Sequence, residues 1–161
     1  MTQDNELWAA IFGGLIGAAL TKPKPEDQQD LAKYKALQQE INARQQKITA
    51  LPDFNKLNRK PEYYNAFIES YKAYSFGLFR SSVVVASVLI ETILKEKYGS
   101  KKFYDLIEDA RNKEITDLEY YLLHGLRSER NDSVHDVLRE IREEDAIMIL
   151  NIVIKIIGKL V

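Results

Sequence analysis

Arg130-Asn131-Asp132-Ser133-Val134-His135 is the stretch of this chain whose residue types and spacing suit chemistry. A guanidinium holds phosphate oxygens in a two-pronged fork, and an imidazole gains or loses a proton near neutral pH. One stabilises developing charge while the other moves protons. On an unbroken α-helix five residues turn through about 500°, which leaves Arg130 and His135 roughly 140° apart on the surface. A working pair within one chain therefore requires the helix to break between them. Asn, Asp and Ser prefer caps and turns to helix interiors, because their short side chains compete for nearby backbone groups. Three of them stand in a row here, so Arg130 is expected to close one helix and His135 to lie in the first turn of the next. Ser133 with Asp136 resembles a weak capping box, and Asp132 is the alternative N-cap. Either arrangement aims free backbone N–H groups and the positive end of a helix at the space beside His135, which suits a phosphate. A plainer reading stands beside this one: an Arg on the last carbonyls of a helix and a His in a first turn are ordinary structural choices. A second Arg-Asn pair, Arg111-Asn112, has no histidine behind it and shows how little the dipeptide means alone.

Other residues frame this stretch. Glu91 lies on the helical face marked by Val84, Ser87, Val88 and Lys95. If that face is buried, its carboxylate needs a partner, with Arg80, Arg127 or the Arg130/His135 pair as candidates. If it is exposed, Lys95 at i+4 suffices. His124, in mid-helix, is read as structural. No HExxH, paired-His or carboxylate cluster has metal-binding spacing, and there is no Walker loop, dinucleotide fingerprint or Ser-His-Asp signature. Neither a metal nor an organic cofactor is expected.

The elements that must position these groups follow from composition and periodicity. The 161 residues, 45% hydrophobic and 29% charged, make one globular domain with a modest appendage. Four prolines, seven glycines, long helix-period segments and almost no hairpin signal predict an all-α protein. The absence of cysteine excludes disulfides and thiolate chemistry, consistent with a reducing compartment. A net charge of −1 gives no global field to hold nucleic acid, so any such contact must be local.

Residues 1–21 carry an apolar stretch, 7–20, with small residues at 9/10, 13/14 and 17/18. That pattern suits close helix packing in an oligomer or against the domain, or membrane contact, but a helix of this length, about 21 Å, falls short of a bilayer core of roughly 30 Å. Lys22 and Lys24 follow it, so that if it touches a membrane the remainder of the chain is expected to stay cytoplasmic. Residues 22–57 form a polar helix, about 26 to 51, leaning on a partner along a narrow apolar edge, and a connector. The basic residues Lys56, Arg59 and Lys60 near its end read as a solvated loop. Residues 58–161 form the compact domain, with helices expected over 62–75, 78–98, 103–112, 116–130 and 143–160. In the last of these, Asn151, Lys155 and Lys159 make a thin polar stripe on an otherwise apolar cylinder, which belongs at a bundle centre or in a subunit interface.

At this point the residues resemble a known family. Tyr63-Tyr64-Asn65-Ala66, then Phe79-Arg80-Ser81-Ser82 with the run to Glu91, then Leu126-Arg127-Ser128-Glu129-Arg130-Asn131 closing on His135, then Glu144-Asp145-Ala146 opening an apolar helix, are similar to the small HEPN domains with an Arg-Asn-x-x-x-His motif. The likeness covers about residues 62–161. It implies a HEPN-like bundle of four to five helices, here with an N-terminal helical extension, that dimerises so that two motifs meet across the axis. It further implies a metal-independent RNA endonuclease of a prokaryotic toxin-antitoxin or antiviral defence system, with RNA as substrate and an antitoxin or defence-system protein as partner. Carried over, His135 would be the acid/base residue, Arg130 the phosphate clamp and Asn131 a polar helper, supported by Glu91, Arg127 and Ser133. A twofold dimer supplies each residue twice, so one His135 would accept the 2′-hydroxyl proton while its mate protonates the leaving oxygen. The alternative is a non-catalytic helical interaction or oligomerisation module. Either is expected in the cytoplasm, with peripheral membrane contact through residues 7–20 left open.

Overall fold

The computed structural model describes residues 28–48, 52, 57, 60–136 and 138–161, with side chains from residue 32 onward. The apolar stretch 7–20, Lys56 and Arg59 lie outside the described residues. Six helices make up the order: α1 Gln28–Lys47, α2 Pro61–Ser75, α3 Phe79–Tyr98, α4 Phe103–Arg111, α5 Asp117–His135 and α6 Glu143–Leu160. No strand occurs among the described residues, and the all-α bundle expected from periodicity is what forms.

The ends of these helices follow local chemistry. Pro61 opens α2, where its missing N–H costs nothing. Gly77, at φ +78°, carries the turn into α3, and Gly99, at φ +90°, ends α3; both conformations disfavour side chains with a Cβ. Thr116 and Glu119 form a reciprocal capping box at the start of α5.

Residues 40–161 form one compact unit, and residues 1–39 belong to another, so the boundary falls inside α1. Within the larger unit α3 is the central element, packing against α2, α4, α5 and α6. Its inner face, Val83, Ala86, Ile90 and Leu94, is fully buried, as are Phe67 and Tyr74 of α2, Leu106 of α4, Leu126 of α5 and Ile149, Val153 and Ile156 of α6. The last turns of α1 join the same unit: Ile41 is buried, Arg44 donates to the Ser75 carbonyl at 3.2 Å, and Lys47 pairs with Glu143 at 2.6 Å. In residues 28–39 Tyr34 and Leu37 remain substantially exposed.

The thin polar stripe of α6 has a specific use. Lys159 and Lys155 converge on Glu119 of α5 at 2.7 and 3.6 Å, and that carboxylate is 1% exposed. Burial pushes its pKa up, but Lys159 and the amide and hydroxyl of Thr116 together outweigh burial and bring it down to about 2. A buried carboxylate is tolerated because it caps a helix and meets two ammonium groups at once.

Candidate functional site

The helix break expected between Arg130 and His135 is absent. α5 runs without interruption from Asp117 through His135 and ends at Asp136, whose N–H still bonds to the Asp132 carbonyl at 2.9 Å. Asp136 is therefore a C-cap, neither Ser133 nor Asp132 is an N-cap, and the helix end beside His135 presents carbonyls rather than N–H groups. Such an end attracts cations, so the anion cradle read from the three polar residues does not form there.

Tertiary partners override the local preference. Arg80, in the first turn of α3, donates to the carbonyls of Ser133, Asp136 and Arg139, satisfying the end of α5 and the turn that follows. Asp132 is drawn to Arg139, whose Nη2 also donates to both oxygens of Glu129 at 2.9 Å. Asp136 Oδ1 accepts the amides of Leu138 and Arg139 at 3.0 and 3.2 Å, an Asx-type turn that sends the chain toward α6. The acidic residues around the motif are thus already engaged by Arg139 and by the turn itself. Sequence reading missed Arg139, and only its spacing of ten and seven residues from the two carboxylates hinted at it.

With α5 continuous, Arg130 and His135 project about 140° apart. Arg130 turns toward α3 and meets Glu91 at 3.3 Å through Nη2, while its Nη1 donates to Asn131 Oδ1 at 3.2 Å. Glu91, 13% exposed, also pairs with Lys95 at 2.7 Å, so the two partner sets weighed from sequence both act on one carboxylate. His135 lies on the outer surface, exposed, with neither a hydrogen bond nor an ion pair among the described residues. Ser133 is 3% exposed with its hydroxyl unpartnered, and only its carbonyl contributes, through Arg80. Arg127 joins neither Glu91 nor Arg130; its guanidinium lies over the Tyr104 ring at 5.6 Å.

His124 packs between Tyr104 and Tyr120, at ring separations of 5.1 and 4.5 Å, with Nε2 3.6 Å from Glu108. Burial, then the neighbouring Arg127, lowers its pKa, and Glu108 only partly opposes them. Among the described residues no group of three or more His, Asp or Glu side chains is arranged to hold a metal ion, and no helix is long and apolar enough to cross a membrane.

The geometry thus gives a half-buried Arg–Glu–Lys chain on one side of α5, an open imidazole on the other, and an arginine-pinned turn between α5 and α6. No curated protein and no solved structure matches the chain. A family model described as a domain of unknown function, DUF4145, matches residues 68–161, from the middle of α2 to the last residue of the chain. That span is more than half of the protein and contains every candidate residue named above, and the chain belongs to the DUF4145 family.

Proposed function

We propose that this protein is a metal-independent RNA endonuclease of the HEPN type, acting as a dimer by attack of the ribose 2′-hydroxyl on the adjacent phosphate. The observation that carries the reading is the exposed, unpartnered His135 imidazole at the end of the helix that also presents Arg130 and Asn131. Arg130 uses Nη1 and Nη2 once each and is 32% exposed, so guanidinium N–H groups remain for a phosphate. Because the two side chains diverge within one chain, a single protomer offers half a site. The fork of one copy and the imidazole of the other would have to meet across a twofold axis. The outer face of α3 favours such pairing. Val84 and Val85 are half-buried and Val88 is 45% exposed, beside a groove of about 320 Å³ that they line with Tyr63 and Ala66 of α2. Two imidazoles would then divide the work, one taking the 2′-hydroxyl proton and the other protonating the departing 5′-oxygen, leaving a 2′,3′-cyclic phosphate. A defence or toxin-antitoxin role, with its protein partner, belongs to the same proposal through the resemblance.

A second reading rests on a specific contact. The Arg130–Glu91–Lys95 chain is the kind of ion-pair network that holds two helices together without chemistry, which suits a non-catalytic interaction module. Incubation of the full-length protein with total RNA in EDTA separates the two. The nuclease reading expects cleavage to cyclic phosphate ends, lowered at least about a hundredfold by His135→Ala and by Arg130→Ala. No cleavage by the unmodified chain, or equal cleavage by all three, sinks it.

A further inference from the structure

One face of α5 carries Tyr121, His124, Ser128, Asn131 and His135 at successive spacings of three and four residues, which places them in a single row. The row leads from the open imidazole of His135 to an aromatic cluster built between α4 and α5. Tyr104 is 48% exposed and Tyr121 is 65% exposed, while Tyr120 and His124 pack between and beneath them. Glu108 fixes Tyr120 from α4, accepting its hydroxyl at 2.6 Å. The exposed rings lean on these neighbours, Tyr104 on His124 and Arg127 and Tyr121 on the hydrogen-bonded Tyr120.

Charge singles out Arg127. Arg111 stacks on Tyr120 at 4.3 Å but is paired with Asp117 at 3.1 Å, and Lys101 is paired with Asp109 at 2.6 Å. Arg127 has no ion-pair partner among the described residues, and its Nε is buried without a hydrogen-bond partner. It stands half-buried over Tyr104, a cation beside an exposed ring. A partly exposed ring joined to an unpaired guanidinium complements an unpaired base joined to a phosphate: the ring stacks the base and the fork takes the oxygens. Arg127 lies eight residues from His135 on the same helix, a rise of about 12 Å, so the two are separated by a few nucleotides of extended strand.

We infer that Tyr104 and Arg127 form a subsite for single-stranded RNA, one base stacking on Tyr104 and its phosphate meeting Arg127, with the strand running along the outer row of α5 toward His135. Tyr121 extends the stacking surface. The inference rests on the nuclease reading for the identity of its ligand, but it is read out by binding alone.

The test uses the full-length chain carrying His135→Ala, so that nothing is cut, and a fluorescent single-stranded oligouridine titrated over a range of salt. Tyr104→Ala is expected to weaken binding about tenfold, while Tyr104→Phe, which keeps the ring, binds as the parent does. Arg127→Gln is expected to reduce the slope of log affinity against log salt by about 0.7, the loss of one phosphate contact to a single strand. Melting curves and the Phe variant separate a lost ring from a lost fold. Tyr104→Ala and Arg127→Gln variants that bind like the parent overturn the inference. So does a parent that binds no RNA, or one that holds a duplex or a mononucleotide as tightly as the oligomer. A protein that cuts nothing yet binds single strands through Tyr104 and Arg127 leaves the subsite standing and removes the nuclease reading. One that cuts RNA with binding indifferent to both residues removes the subsite alone.

Discussion

Arg80 illustrates how much of this molecule depends on single arginines. Its guanidinium serves three carbonyls, that of Ser133 in the last turn of α5 and those of Asp136 and Arg139 in the turn that follows, of which that of Asp136 also accepts the Arg139 amide at 3.3 Å. Arg80→Ala is expected to destabilise the fold by about 1–3 kcal/mol, read from chemical denaturation, because charge-assisted hydrogen bonds are lost and the part-buried carbonyls of Ser133 and Arg139 lose their arginine donor. Arg80→Lys is expected to recover only part of this, since an ammonium lacks the planar fork. At the same scale His124 makes a pH prediction. Its pKa is lowered in the folded state, chiefly by burial and then by Arg127, so the unfolded chain binds the proton more readily. The stability that neutral His124 supports is complete above its ordinary value of 6.5 and declines as pH falls below it. His124→Phe should flatten the dependence of denaturation midpoint on pH between 7 and 5, and an unchanged slope would count against the assignment.

Among the elements, α5 and α6 are coupled by Glu119, Lys155 and Lys159. Glu119 caps α5 while satisfying the polar stripe of α6, so one carboxylate fixes both the start of one helix and the rotation of another. Its pKa stands near 2, against 4.5 unperturbed. The stabilisation is therefore fully present above pH 4.5 and disappears as pH falls toward 2. Glu119→Gln is expected to cost about 2–3 kcal/mol at pH 7 and much less near pH 2, because the ion pairs are lost while the cap is partly kept. Denaturant titrations at the two pH values measure the difference. The helical periods of α2 to α6 were legible in the sequence because their apolar stripes are strong. The end of α5 was not, because Asn131, Asp132 and Ser133 favour a break locally and are held in the helix by Arg80 of α3 and Arg139 of the following turn.

For the whole molecule the proposed site depends on assembly. The outer face of α3 leaves Val88 exposed beside an apolar groove, and the proposed site is incomplete in one chain. Val88→Lys is expected to shift a dimer to monomer in sedimentation, to leave the melting temperature nearly unchanged since the residue faces outward, and to abolish RNA cleavage with it. Cleavage by a monomeric variant would refute the two-copy site.

What the sequence by itself determined is the helical architecture and which side chains carry titratable or phosphate-binding groups, because apolar periodicity and side-chain chemistry are local properties of the chain. It placed Glu91 among cations, and Arg130 and Lys95 both answer. The tertiary structure alone decided where those groups point. Continuity of α5 depends on guanidinium groups contributed by residues far along the chain or beyond its own end, and no local propensity encodes them. By holding the helix intact, those contacts turn Arg130 inward to α3 and leave His135 on the outer row with His124 and Tyr121.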